Sequence, residues 1–145
     1  MKIMVAYDWT LQSKEALVYG MEKAREKGGE VVALHVFNSH LFVDYDATVN
    51  AQDLARAEAA GFVNEAKEII RQKGTGVQAS LYSTDGNPEA EVINFAKAEK
   101  VDVLLCPPKY RSIINKYQKA LAESEFAGEA AKMNVSAFAV SKKTI

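Results

Sequence analysis

The stretch Ile3–Thr10, IMVAYDWT, decides the fold class. Its apolar part, Ile3–Tyr7, ends abruptly at Asp8, and a short apolar run of this kind is typical of a strand buried on both faces. A helical spacing of small and apolar residues follows over Ser13–Lys27. The β-branched and aromatic run Glu30–Phe37 then predicts a second buried strand. A strand, a helix and a strand in this order predict a right-handed βαβ unit.

The rest of the chain continues this alternation, which predicts a doubly wound α/β domain: a five-stranded parallel sheet with helices on both faces. One stretch alternates apolar and polar residues, so we expect that strand to lie at a sheet edge. The predicted elements are a loop over Asn38–Asn50, a helix over Gln52–Gln72, the alternating strand Val77–Tyr82, a helix capped by Asn87 that runs from Pro88 to about Lys100, a strand over Val101–Cys106, a helical segment within Ile113–Lys132 and a last strand over Val135–Val140.

Composition limits the classes of protein that the chain can belong to. Its 145 residues suit one domain over residues 1–145, and 48% hydrophobic residues suit a soluble globular fold. A net charge of −1 argues against general attraction to nucleic acid or to anionic membranes. No apolar run approaches the length of about 18 residues that suggests a membrane span. The single cysteine, Cys106, forms no internal disulfide, so we expect a reducing cytoplasm.

The architecture predicts where a ligand would bind. In open parallel sheets, ligands bind beyond the carboxyl ends of the strands, where the strand order reverses. If the first and fourth strands are neighbours, Asp8–Thr10, Asn38 and Ser39, and Cys106–Ser112 line that crevice. A basic segment overlaps it, with no acidic residue between Val103 and Ala122. This segment attracts an anion or is simply a solvated helix face. Its basic residues are Lys109, Arg111, Lys116 and Lys119.

The order of several short motifs resembles the universal stress protein family over nearly the whole chain. The resemblance implies a Rossmann-like, adenine nucleotide alpha hydrolase-like fold with five parallel strands. It also implies homodimers formed largely through the last strand. The motifs are Val5–Thr10, where the family has a strand ending in Asp-Gly-Ser, then Ser13–Leu17, Ala33–Val36, Gly86–Ile93 and Ala98–Leu105.

One branch of this family binds ATP through three glycines after the fourth strand, spaced Gly-x2-Gly-x9-Gly and followed by Ser or Thr. Glycine suits these positions because backbone amides approach the phosphates closely. In this chain the glycine positions hold Pro107, Tyr110 and Ala120, and Leu121 takes the place of the hydroxyl residue. The resemblance therefore implies a member that does not bind ATP in the usual way.

Two hypotheses of function follow. The first is a non-catalytic homodimer in the stress response that acts through protein partners and has no cofactor. The second is a nucleotide- or anion-binding module, with ATP as the candidate ligand. Enzymatic ATP hydrolysis or phosphoryl transfer is disfavoured, because the phosphate-binding glycines and a metal-binding pair are missing. The candidate crevice residues are Asp8, Val36, Pro107, Lys109, Tyr110, Arg111 and Ser112.

Several single residues allow two interpretations. Trp9 and Tyr110 either stack on a planar ligand or fill a vacated nucleotide pocket, and the missing glycines favour filling. Cys106 is either a reactive thiol beside basic residues or a small core residue, and its apolar strand favours the core. No metal site is expected, because the spacing of His35, His40, Asp44 and Asp46 matches no known zinc or calcium pattern.

The last strand, Val135–Val140, is expected to be a sheet edge whose unpaired backbone groups pair with a second copy. Lys142 and Lys143 offer the opposite interpretation, in which charge keeps that edge monomeric. The family resemblance favours the dimer.

Overall fold

Strands and helices alternate along the chain in the computed structural model, which describes residues 1–8, 10–37, 51–85, 88–108 and 121–140. The predicted βαβ start and the α/β class are both confirmed. The elements are β1 (Lys2–Ala6), α1 (Leu11–Lys27), β2 (Glu30–Phe37), α2 (Ala51–Lys73), β3 (Gln78–Asp85), α3 (Pro88–Ala98), β4 (Val103–Cys106), β5 (Leu121–Glu123), α4 (Ala127–Ala131) and β6 (Ser136–Val140).

The strands form one sheet in the order β3-β2-β1-β4-β6-β5. The first strand lies at the centre, parallel to β2 on one side and to β4 on the other. The register aligns Val5 with Ala33 of β2 and with Leu105 of β4. The third strand pairs in parallel with β2 and lies at the edge, as the alternation in its sequence predicts.

Alternate side chains of β1 enter two separate apolar layers. Ile3 and Val5 pack beneath α1, together with side chains from α2 and α4. Met4 and Ala6 face the opposite layer, which includes buried side chains of α3. All four are essentially inaccessible to solvent. Burial on both faces explains why the sequence of β1 is a continuous apolar run instead of an alternating one.

The first helix has well-defined ends. Thr10 is its N-cap, with extended backbone angles and a side chain that accepts a hydrogen bond from the Ser13 N–H. The helix thus begins before Ser13, the predicted start. It ends at Gly28, whose φ of 69° is left-handed and whose N–H donates to the Ala24 carbonyl. A glycine suits this position because a Cβ is unfavourable in the left-handed region.

The last third of the sheet differs from the prediction. The sixth strand is antiparallel to β4, with Leu105 opposite Ala137, and β5 is in turn antiparallel to β6. Of the six strands in the described residues, five therefore share one direction and β6 opposes them. A helical segment is predicted within Ile113–Lys132, and α4 lies there, but the same segment also contains the unpredicted strand β5, while residues 113–120 lie outside the described parts of the chain. A strand of three residues is too short to show a period in the sequence.

The expectation that the last strand is a sheet edge is wrong. Residues of β6 form hydrogen-bonded ladders with β4 on one side and with β5 on the other. The Ser124 N–H extends the second ladder by donating to the Ala137 carbonyl over 3.1 Å. The backbone of β6 is thus already paired, and the two edge strands of the described sheet are β3 and β5.

Candidate functional site

The crevice expected from the topology lies where β1 and β4 end side by side. The strand order reverses between these neighbours, since β2 and β3 lie on one side of β1 and β4 on the other. Asp8 follows β1 and Pro107 follows β4, so both lie at the carboxyl edge of the sheet. Val36 is near the end of β2, two residues beyond Leu34, whose carbonyl accepts from the Tyr7 N–H over 2.8 Å. The structure thus brings three of the predicted crevice residues to one edge.

Asp8 holds the turn between β1 and α1 together. Its Oδ1 accepts the Thr10 N–H over 2.8 Å, and the Thr10 hydroxyl donates to the same oxygen. The Ser13 hydroxyl lies 2.6 Å from the Asp8 carbonyl and 2.9 Å from the Thr10 carbonyl, which are alternative acceptors for its single proton. A carboxylate is also favoured here by the dipole at the start of α1. The side chain of Asp8 is therefore fixed in place before any ligand binds.

The second carboxylate oxygen of Asp8 is different. The residue is 1% exposed, and Oδ2 is buried without a hydrogen-bond partner in the described parts of the chain. Leaving a buried acceptor unpaired costs about 1–3 kcal/mol. An ionised carboxylate only accepts hydrogen bonds, so an amino or hydroxyl group is the complement that this oxygen needs.

Pro107 is buried directly after β4. It has no N–H, so its backbone offers no donor to a phosphate at the position of the first family glycine. Cys106 precedes it and is fully buried, and burial raises the pKa of the thiol. The thiol is thus inaccessible to solvent and stays protonated, as the core interpretation predicts. Val36 belongs to the apolar layer that also contains Cys106 and offers only a surface for packing.

The sequence analysis missed the polar environment of Tyr7, the residue before Asp8. Its side chain is fully buried, and its hydroxyl has no hydrogen-bond partner within the described residues. Burial, followed by the charges of Glu65 and Asp8, raises the pKa of Tyr7. Glu65 on α2 forms an ion pair with Lys14 on α1. The apolar run Ile3–Tyr7 gives no sign of these contacts, because they depend on how α2 packs over the sheet.

Other residues that the sequence analysis considered lie outside the described parts of the chain. They are Trp9, Asn38, Ser39, His40, Asp44, Asp46, Lys109, Tyr110, Arg111, Ser112, Lys116 and Lys119. Whether Trp9 and Tyr110 fill the crevice therefore stays a prediction. The position of the basic segment at the crevice also stays a prediction. Of the four residues that were considered and rejected as metal ligands, only His35 is described, and it is buried. Within residues 1–8, 10–37, 51–85, 88–108 and 121–140, no group of three His, Cys, Asp or Glu side chains is arranged to hold a metal ion.

The model of the universal stress protein family matches residues 1–117 of the sequence. The chain belongs to the universal stress protein family. The match includes β1 to β4 and ends before β5, α4 and β6, the part in which the sheet departs from the parallel prediction. In a comparison with curated proteins, no sequence matches this chain.

Solved universal stress proteins share the fold. The chain superimposes on one from Burkholderia pseudomallei with a TM-score of 0.64 and 17% identity, over 81% of this chain and 87% of that one. A protein from Archaeoglobus fulgidus in complex with dAMP gives 0.61 and 20%, over 82% and 90%. A third, in complex with cAMP, gives 0.55 and 14%, over 72% and 69%. At these identities the likeness supports the fold alone.

Of the helices in the described ranges, none combines sufficient length with sufficient apolar character to cross a bilayer.

Proposed function

We propose that this universal stress protein is a non-catalytic homodimer of the cytoplasm that acts in the stress response through protein contacts and does not bind ATP in the family's usual way. The observation that supports it best is the buried Pro107 at the carboxyl end of β4. A proline at the first glycine position removes one backbone donor and fixes φ, so the loop after β4 begins with a residue that cannot contribute an amide to a phosphate cradle. The role in stress rests on family membership.

Calorimetric titration with ATP, ADP and AMP in magnesium buffer tests this proposal. We expect no saturable heat at nucleotide concentrations up to about 1 mM, which corresponds to binding weaker than about −4 kcal/mol. We also expect no release of phosphate from ATP above the rate in buffer. Micromolar binding of ATP by the wild-type protein would refute the proposal.

A second candidate function rests on Asp8. Its Oδ2 is a buried, fixed acceptor without a partner among the described residues, at the edge where ligands bind in this class of fold. This arrangement supports a crevice for a small ligand that offers an amino or hydroxyl donor, such as a nucleoside or a nucleotide. Two of the structurally similar proteins are described as complexes with adenine nucleotides, cAMP and dAMP.

Titration with AMP, cAMP and dAMP separates the two candidates. If the crevice binds one of them, Asp8→Asn weakens binding at least tenfold, because the amide presents a donor where the ligand needs an acceptor. Ser13→Ala is the matched control, since it alters the same turn but leaves the carboxylate in place. Equal losses in both variants would show that the turn, and not the carboxylate, determines affinity.

A further inference from the structure

The longest strand edge that the described sheet leaves open is that of β3. All eight residues of this strand, Gln78–Asp85, pair with β2, and within the described residues no strand pairs with its other side. The opposite edge strand, β5, has only three residues. An edge strand presents a row of backbone N–H and C=O groups that another strand can pair with.

The sequence of β3 lacks the devices that usually protect an edge. From Gln78 to Thr84 it has no charged residue and no proline, and its register with β2 advances residue by residue without a bulge. Natural edge strands are commonly protected by lysines, prolines or bulges. A regular strand whose single charge, Asp85, lies at its end is therefore suited to pairing.

Tyr82 lies at the middle of this edge with 44% of its surface exposed. Its ring centroid is 5.2 Å from that of Phe95 on α3, so the two aromatic rings form one patch on the α3 face of the sheet. Leu81, the neighbouring residue, faces the other way and packs against the core beneath α1 and α2. An exposed aromatic ring in contact with a second ring, beside an open backbone edge, is typical of an interaction surface.

We infer that β3 pairs antiparallel with β3 of a second copy of this chain, about a twofold axis at Tyr82. This inference rests on the proposed homodimer and specifies its contact. Along an edge strand, every second residue directs its backbone N–H and C=O groups outward. Two identical antiparallel edges therefore fit only when odd-numbered residues lie opposite odd-numbered ones and even opposite even. One residue then lies on the twofold axis, opposite the same residue of the second copy. With Tyr82 in that position, Leu81 lies opposite Ser83 of the second copy.

The charges of the strand are compatible with self-pairing. In the Tyr82 register, Ala79 of one copy lies opposite Asp85 of the other, so no two like charges oppose each other along the strand. Two Tyr82 rings meet at the centre, each next to its own Phe95. Aromatic cross-strand pairs stabilise antiparallel strands. A second copy thus covers the exposed ring and pairs the open backbone in a single contact.

Light scattering over a range of concentrations tests the interface. We expect wild-type dimers and at least tenfold weaker dimerisation for Ser83→Lys, which brings two lysines near each other diagonally across the axis. Ser83 is exposed, so the fold tolerates the lysine. Ala131→Lys, at an exposed position on α4 near the opposite end of the sheet, is the control and should dimerise like the wild type. Unchanged dimerisation of Ser83→Lys would overturn the β3 contact but not the homodimer, whereas a wild-type mass of 15.9 kDa at every concentration would overturn both.

Disulfide trapping tests the register. Tyr82→Cys places two thiols directly opposite each other, whereas Ser83→Cys places them on a diagonal about 7–8 Å apart. The native Cys106 is fully buried and contributes little background. We expect Tyr82→Cys to form a covalent dimer at least tenfold faster than Ser83→Cys under mild oxidation. Equal rates would overturn the pairing at Tyr82.

Discussion

Gly20 lies on the face of α1 that packs against the sheet, and the substitution Gly20→Ala tests how closely the helix approaches the strands. A Cβ at this position would lie 3.5 Å from a methyl group of each of Ile3, Val5 and Leu105. These distances are ordinary van der Waals contacts, so the added methyl fits without displacing the helix. We therefore expect the substitution to stabilise the protein, although the position is buried.

The expected gain has two sources. Replacing glycine by alanine inside a helix contributes about 0.8–1 kcal/mol, because glycine loses more backbone freedom on folding. Burying one further methyl-sized group contributes up to about 0.8 kcal/mol. Gly20→Ala should therefore raise the free energy of unfolding by about 1.5 kcal/mol. Gly61→Ala on α2 is the control, because its Cβ would meet nothing within 4 Å and only the contribution of about 1 kcal/mol from helix propensity remains.

Urea unfolding at 25 °C measures both variants. We expect higher midpoints with unchanged m values, and a melting temperature raised by about 3–6 °C for Gly20→Ala. If Gly61→Ala stabilises the protein while Gly20→Ala destabilises it, the helix lies closer to β1 and β4 than these contacts indicate, and the reasoning is wrong.

Three further predictions concern Thr10, Cys106 and Tyr7. Thr10→Ala removes the acceptor for the Ser13 N–H and should cost about 1 kcal/mol in urea unfolding, while Thr10→Ser should retain most of the stability. Cys106 should react with a thiol reagent only as the chain unfolds in urea, because its thiol is fully buried; reaction in native buffer at the rate of an exposed thiol would contradict its burial. Tyr7→Phe should raise stability by about 1 kcal/mol at neutral pH, because it removes a buried hydroxyl without a partner among the described residues. The pKa of Tyr7 is raised above its ordinary value of 10.0, so above about pH 10 the folded chain keeps a proton that the unfolded chain loses. The free energy of unfolding should therefore fall as the pH rises above about 10. Urea unfolding should show a less steep fall for Tyr7→Phe than for the wild type.

Local patterns in the sequence predict the first half of the fold well. The strand Glu30–Phe37 has the predicted bounds, because a buried strand followed by polar residues is visible in a short window. The same window cannot show the direction of a strand. The apolar sequence of β6 would look the same whether the strand lay parallel or antiparallel to β4. That β6 has a second neighbour could not be predicted either, because that neighbour, β5, is too short to show a period in the sequence.

The candidate site shows the same limit. Topology alone is enough to place Asp8 and Pro107 at one edge, because the carboxyl ends of neighbouring parallel strands meet there. The hydrogen bonds from Thr10 to Asp8 follow from a local turn, so a sequence pattern of capping residues could have indicated them. The environment of Tyr7 could not be predicted, because it depends on Glu65, which is far along the chain and approaches only when α2 packs over the sheet.

The central position of β1 has a consequence for the order in which the native structure can be completed. One neighbour, β2, is separated from β1 in the sequence by a single helix. The other neighbour, β4, is far away in the sequence: just before it, the Asp102 carboxylate accepts a hydrogen bond from the Lys2 N–H, 100 residues earlier in the chain. Joining such distant segments closes a long loop, and long-range pairing of this kind slows folding. If β2 pairs with β1 first, β1 stays open on its other side until Val103–Cys106 joins it. The centre of the sheet is therefore completed only when two distant parts of the chain have met.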